Sequence, residues 1–317
     1  MSLVAPEGMA DEVARQGLLR AAQPVVVMVS AGRDSTALLE LAVRIAGPGV
    51  VAALHVNYGL RESAAADEAH CAALCRELGV ELDVRRPRRP QTGNLQAWAR
   101  ESRYNAATEL AGPRGAEVAA GHTASDQVET ILMRLASSPS RRALLGMRAR
   151  EGMLVRPLLR FTRQQTGAYC RLRGLSWRED ETNLSLLYAR NRARATLVPA
   201  LRELHPAAEA NVLSVAEVLR QEGEVLDELV DEVLEGRGAV ALTRLRGLRP
   251  ALARLVVQRL ADAAAGGPAP GASRRTEEVA ALGNHAALDL PHGVRAEVRR
   301  GVLRMVRRPP RPSQSET

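Results

Sequence analysis

Two short stretches carry residues whose types and spacing could do chemistry. In SAGRDS, residues 30–35, two serines and an aspartate flank a glycine between an apolar run, VVVMV at residues 25–29, and a leucine-rich segment that begins at Thr36. A tight strand-to-helix turn of this kind points free backbone N–H groups and the positive end of a helix dipole outward, and the Ser30 and Ser35 hydroxyls add donors. Ser30, Ala31, Gly32, Arg33, Asp34 and Ser35 thus read as an anion cradle, and a phosphate fits it. In GHTASDQVE, residues 121–129, His122 follows a short apolar run, while Asp126 and Glu129 stand three apart and share one face of the helix that begins there. Each feature also fits an ordinary structural role, since Ser and Asp cap helices and a lone histidine is often a hydrogen-bonded core residue. Their joint occurrence favours function. Neither G-x-x-x-x-G-K-[ST] nor G-x-G-x-x-G is present, so the turn is neither a Walker loop nor a dinucleotide turn.

The elements that must position these residues alternate. Apolar, β-branched runs at 25–29, 50–56, 81–85 and 117–120 read as strands, and helical periodicity follows each, from 36, over 62–78, 94–111 and 124–136. A lead-in helix occupies residues 1–23. Such alternation predicts an α/β fold, a parallel sheet with helices on both faces, whose ligand sits outside the carboxyl ends of the strands. Residues 30–35, 57–61, 86–93 and 121–126 converge there, and HVNYGLRES places His55, Asn57 and Arg61 just past the second strand. Helices at 161–174 and 184–204 carry Arg163, Arg171, Arg173, Arg190, Arg192 and Arg194. Pro206 marks the expected boundary between a catalytic domain, 1–205, and a smaller, mainly helical domain, 206–308, with a disordered tail at 309–317. In the second domain, 207–235 reads as a long helix with an acidic second half, 249–265 and 276–284 as helices, and 294–306 as a hairpin.

Composition narrows the function. All 44 basic residues are Arg, which excludes a lysine nucleophile or Schiff base and leaves the planar, phosphate-matching guanidinium as the only permanent cation. The net charge of +8 favours a polyanionic partner. Residues 139–205 hold fourteen Arg against five acids, an excess of nine, so the clustering reads as a nucleic-acid face rather than codon bias. Three cysteines, Cys71, Cys75 and Cys170, without C-x-x-C indicate neither a disulfide framework nor a metal knuckle. No run is long and apolar enough for a membrane span and no signal pattern opens the chain, so the expected location is the cytoplasm.

SAGRDS resembles the S-G-G-x-D-S pyrophosphate loop of the ATP pyrophosphatases. Six stretches in order, SAGRDS, HVNYGLRES, NLQAWARESRY (94–104), GHTASDQVETILMRL, RPLL (156–159) and WREDETNLSLLYARNRAR (177–194), resemble the tRNA(Ile)-lysidine synthetases over about residues 24–205. A looser likeness appears in LPHGVRAEVRRGVLRMVRR, and the second domain resembles that family's first tRNA-binding domain. The resemblance implies a two-step ligation on the wobble cytidine of a CAU-anticodon tRNA(Ile). ATP adenylates the cytosine O2, then free L-lysine displaces AMP at C2. It further implies Mg²⁺ held with Asp34, an ATP site formed by residues 30–35 with His55 and Asn57, and a lysine ammonium held by Asp126 and Glu129. His122 would serve proton transfer or phosphate contact, with Arg100 and Arg103 toward the phosphate or the flipped base. A homodimer stays open.

The chain departs from that family's pattern in four places: Ala31 for the usual Gly, Ser125 for an Asp, the turn SSPS at 137–140 for R-G-S-G, and Tyr58 for a His. If position 31 needs a positive φ, its methyl costs about 1 kcal/mol. Other readings are a tRNA thiolase, which would rely on paired cysteines, a small-molecule amidotransferase, a catalytically impaired relative, or a non-catalytic RNA-binding protein.

Overall fold

A computed structural model describes residues 5–60, 62–138, 140–179 and 189–308 of the 317-residue chain. Arg61, Pro139, the expected start of a helix at Leu184 and the tail at 309–317 lie outside the described residues. By its internal contacts the chain forms two compact units, Met1–Leu219 and Arg220–Thr317. The division falls inside a helix rather than near Pro206, because Val212 and Leu213 pack with Val128, Leu132 and Val198 of the first unit.

The first unit is built on one sheet. A short 3-10 turn and α1 (Met9–Arg15) precede β1 (Val25–Val29), α2 (Arg33–Ala46), β2 (Val51–Val56), α3 (Ala64–Leu78), β3 (Glu81–Arg85), α4 (Leu95–Ala111), β4 (Glu117–Ala119) and α5 (Ala124–Ser137). Then come α6 (Arg141–Leu144), β5 (Arg150–Glu151), β6 (Leu154–Val155) and α7 (Arg163–Leu172). α8 (Ala189–Arg192), a π-helical turn at Ala193–Leu197 and α9 (Val198–Leu204) run end to end. The strand order is β3-β2-β1-β4-β6-β5, parallel except for β5, which pairs antiparallel with β6. Every residue of β1 and β2 is buried, the mark of a sheet covered on both faces. Successive side chains alternate between the faces: Val25, Val27 and Val29 join α1, α2 and α7 residues, while Val26 and Met28 join Ala106, Ala107 and Leu110 of α4.

Local chemistry sets the helix starts. The Asn94 side chain accepts from the N–H groups of Gln96 and Ala97, and Thr123 with Asp126 and Thr162 with Gln165 form capping boxes. α2 starts at Arg33, ahead of the expected Thr36, with the extended Gly32 as its N-cap. α7 is fastened to α2 by Glu40, which is buried and accepts from the Tyr169 hydroxyl and from Arg44 and Arg173. Burial opposes its charge, but those donors outweigh burial and hold its carboxyl below the usual range.

α10 (Ala208–Leu234) contains the division between the units. The second unit holds α11 (Leu242–Gly247), α12 (Pro250–Ala265), α13 (Thr276–Ala281) and a four-stranded antiparallel sheet ordered β7-β10-β9-β8. Its strands are β7 (Ala239–Ala241), β8 (Ala287–Leu290), β9 (Val294–Arg299) and β10 (Val302–Arg307). The expected hairpin is its centre, and two short flanking strands make the unit less purely helical than the sequence suggests. No helix among the described residues is long and apolar enough to cross a membrane.

Replacing Tyr169 by Phe should leave the fold intact and lower the denaturant-unfolding free energy by about 2 kcal/mol, the worth of a buried hydrogen bond to a carboxylate.

Candidate active site

β1 and β4 are neighbours whose following segments lead to opposite ends of the sheet, which opens a crevice at their carboxyl ends. The phosphate turn stands on one side of it. Ala31 is left-handed, with φ 62°, and buried, so the condition for methyl strain at this position is met. Its carbonyl accepts the Arg178 N–H at 2.9 Å. Gly32 is the N-cap of α2 and offers no side chain to it, so the first-turn N–H groups are left to a ligand. Ser35 stitches the turn together: its Oγ accepts from the Ser30 N–H at 3.1 Å and donates to the Gly32 carbonyl at 2.8 Å. Gly121 brings the far side of the crevice against this turn. A Cβ there would lie 3.2 Å from the Asp34 carbonyl carbon and oxygen and from the Ser35 nitrogen.

Three carboxylates meet in the crevice, and arginines fill the space between them. Asp34 accepts from the Thr166 hydroxyl and lies 3.4 Å from Arg163 Nε. Asp126 gives one oxygen to its own cap, accepting from the Thr123 N–H at 2.8 Å and hydroxyl at 2.9 Å. Its other oxygen accepts from Arg163 at 3.0 Å and Arg190 at 2.8 Å. Glu129 accepts from Arg190 Nε at 2.8 Å and from Arg194 Nε at 2.6 Å, with Arg163 a further 3.6 Å contact. Asp126 and Glu129 are both nearly fully buried. Burial works against ionisation of Asp126, but Arg190 and Arg163 outweigh it and hold its carboxyl below the usual range. At Asp34 burial wins over Thr166 and Arg163, and the carboxyl is raised. Ser125, where the similar family has a carboxylate, accepts the Arg163 N–H at 3.2 Å and so helps start α7.

His122 lies within electrostatic reach of Asp126 and Arg190 of this layer. Burial pushes it down to about 3, Asp126 pulling the other way and Arg156, Arg190 and Arg103 adding to the depression. It is therefore neutral near pH 7, and its Nδ1 is buried without a hydrogen-bond partner among the described residues. Arg103 comes within electrostatic reach of His122, whereas Arg100 is exposed and lies 4.8 Å over the Tyr104 ring.

Two expected ligand residues are committed elsewhere. His55 is a buried sheet residue whose Nδ1–H donates to the Val29 carbonyl at 3.0 Å. Asn57 closes its own turn, accepting the Gly59 N–H at 2.9 Å and donating to Glu68 at 2.9 Å. Neither turns its side chain to the crevice, because a histidine in a strand buried on both faces has to be satisfied by the backbone, and an asparagine after a strand serves the turn. Part of the arginine-rich segment is used differently from expectation, while Arg148, Arg160, Arg171 and Arg202 are exposed. Arg163, Arg190 and Arg194 point inward to the carboxylates, Arg173 to Glu40, and Arg178 to Asp67 at 2.7 Å. Arg163, Arg190 and Arg194 are thus site residues that the sequence alone places on a nucleic-acid face, and Thr166 is one it does not single out. The i, i+4 spacing of Arg190 and Arg194 was the one signal for them; Thr166 carried none.

Fold and cradle together are those of the PP-loop proteins, and the PP-loop domain family matches residues 8–201. A solved structure of the U34-tRNA thiolase NcsA from Methanococcus maripaludis, at 16% identity, superposes with a TM-score of 0.56 over 68% of this chain and 78% of that one, a likeness of fold. A tRNA(Ile)-lysidine synthase of Symbiobacterium thermophilum is 37% identical over 332 residues, covering 95% of this chain and 68% of the relative. One of Salinispora arenicola is 37% identical over 90% of this chain and 91% of its own length. One of Thermus thermophilus is 40% identical over 67% of this chain, which spans 43% of that relative's length. The chain belongs to the tRNA(Ile)-lysidine synthase family and is an enzyme of the PP-loop class.

Two outcomes test this geometry. Ala31→Gly should raise the unfolding free energy by about 1 kcal/mol, since only glycine adopts a positive φ without cost. His122 supplies a pH dependence. Above pH 6.5 it is neutral in both folded and unfolded chains, while between 6.5 and about 3 only the unfolded chain takes up the proton. Stability should therefore fall as pH drops through that window, and His122→Gln should flatten part of the fall in urea titrations run at a series of pH values.

Proposed function

We propose that this protein ligates free L-lysine to C2 of the wobble cytidine in a CAU-anticodon tRNA(Ile), at the cost of ATP. The cytosine O2 attacks the α-phosphate of ATP and pyrophosphate leaves; the lysine ε-amine then attacks C2, and AMP leaves with the O2 oxygen. One observation carries the reading: an uncapped helix N-terminus faces a buried carboxylate set and a neutral histidine across a single crevice, in a chain whose relatives bear that enzyme's name. The α2 N–H groups and the Ser30 hydroxyl suit the phosphates of ATP. Asp34, at that turn, suits Mg²⁺, which takes one or two carboxylates and completes its shell with substrate phosphates. Bound Mg²⁺ neutralises charge on the phosphates.

Asp126 and Glu129 suit an ammonium group, but arginines already hold that place. Lysine's ammonium would exchange with Arg190 and Arg194, whose guanidinium groups would then be free for the departing phosphate. Proton removal from the amine is assigned to His122, which is neutral and keeps Nδ1 without a hydrogen-bond partner among the described residues. Phosphate charge beside Arg156, Arg190 and Arg103 would relieve the smaller, arginine share of its depression, burial being the larger share. The thiolase alternative is disfavoured, since Cys71, Cys75 and Cys170 are buried thiols pushed up to about 12, 11 and 12 by burial.

Incubation with labelled lysine, ATP and magnesium should label a CAU tRNA(Ile) transcript and spare a tRNA(Met) control. Asp34→Ala should abolish AMP release and retain tRNA binding. Unimpaired AMP release in that variant defeats the assignment of the cradle.

A further inference from the structure

The chain has seven aromatic residues in all, and three of them gather outside the carboxylate layer. Tyr58, just beyond β2, meets Trp98 of α4 edge to face, with ring centroids 5.6 Å apart and an interplanar angle of 67°. The Tyr58 hydroxyl donates to the Ala99 carbonyl at 2.8 Å, which fixes its ring, and Tyr58 lies within electrostatic reach of Tyr104 and Arg103. The Arg100 and Arg103 guanidinium groups stand 4.8 and 5.7 Å from the Tyr104 ring centroid. Two polar atoms here, the Tyr104 hydroxyl and Arg103 Nε, are buried with no hydrogen-bond partner among the described residues. Native proteins rarely leave such atoms unpaired, so a polar ligand edge is called for. The segment between β3 and α4 leads into the helix that carries Trp98, Arg100, Arg103 and Tyr104, and holds Arg88 and Arg89. These two and Arg100 are exposed and have no ion pair among the described residues, unlike the inward-pointing Arg163, Arg190 and Arg194.

We propose that this patch is a stacking platform for an unpaired nucleobase of the RNA substrate. Trp98 and the exposed Arg100 plane, backed by Tyr104, receive the base; the Tyr104 hydroxyl and Arg103 Nε–H meet its polar edge, and Arg88 and Arg89 meet the flanking phosphates. The inference rests on the reading of the substrate as a tRNA and adds where a loop base is held. RNA is favoured over the adenine of ATP because the exposed Arg100 lies on the patch and two further exposed arginines precede the same helix, while the phosphates of ATP belong to the cradle beside β1. Tyr58 also stands where the similar family usually has histidine, which makes the edge-to-face pair a feature of this chain.

Trp177→Phe leaves Trp98 as the sole tryptophan and its emission as the reporter. A CAU anticodon stem-loop RNA should quench it, whereas a fully paired duplex of equal length and ATP should not. Tyr58→Ala and Arg100→Ala should each weaken stem-loop binding by roughly 5- to 150-fold, the loss of a stacked base. Arg88→Ala should weaken stem-loop and duplex alike and reduce the salt slope by about one. Quenching by ATP, equal quenching by duplex, or unchanged stem-loop affinity in both Tyr58→Ala and Trp98→Ala overturns the platform. Lysine transfer by the same Trp177→Phe protein separates the two readings: transfer without quenching removes the platform alone, and loop-specific quenching without transfer removes the lysine chemistry alone.

Discussion

Arg163 holds the centre of this protein together. Its one guanidinium lies between Asp34, Asp126 and Glu129, which come from two different helices, at 3.4, 3.0 and 3.6 Å. Three carboxylates this close and this buried would repel one another and carry a large desolvation cost, so without a cation among them α2, α5 and α7 could not approach as they do. Arg190 and Arg194 complete the neutralisation from α8 and the π-helical turn. The packing of the catalytic unit and the charge state of its site are therefore one problem with one solution. Ser125 contributes to it by accepting the N–H that begins α7's first residue, which gives a physical role to a position that looked like a loss.

The absence of lysine from the chain sharpens this design. Every resident cation is a guanidinium that stays charged at any working pH, so the groups free to change protonation at the site are carboxylates, a histidine and whatever amine enters. His122 is held neutral mainly by burial, with the neighbouring arginines adding a smaller depression. Arg190 and Arg194 come from consecutive segments, α8 and the π-helical turn that follows it directly.

Much of the frame was legible because its signals are local. β1 and β3 have the bounds their apolar runs imply, and α4 and α5 begin where Asn94 and Thr123 can cap them. β5 and β6 escaped notice because two-residue strands have no period to detect, and β7 and β8 are nearly as short. His55 and Asn57 sit at the right end of the right strand, yet their side chains satisfy the sheet and the turn, a choice that depends on Val29, Glu68 and Gly59 being nearby. The arginine excess at 139–205 divides: Arg163, Arg190 and Arg194 turn to buried carboxylates while Arg148, Arg160, Arg171 and Arg202 are exposed, and composition cannot tell a solvated guanidinium from one spent on a buried carboxylate.

What the sequence by itself determined is the order of elements, the phosphate turn and the placement of Asp34, His122, Asp126 and Glu129 at one end of a parallel sheet. Each of these follows from hydrophobic period, capping chemistry or strand direction, interactions that span a few residues or a single handedness rule. Only the tertiary structure decided which cations face those carboxylates, that Gly121 must lack a side chain for the two sides of the crevice to meet, and that Tyr58, Trp98 and Tyr104 share a surface. Those facts join residues from α2, α4, α5, α7 and α8 across long loops, and electrostatic compensation of buried charge is settled by proximity in space, which spacing along the chain does not encode.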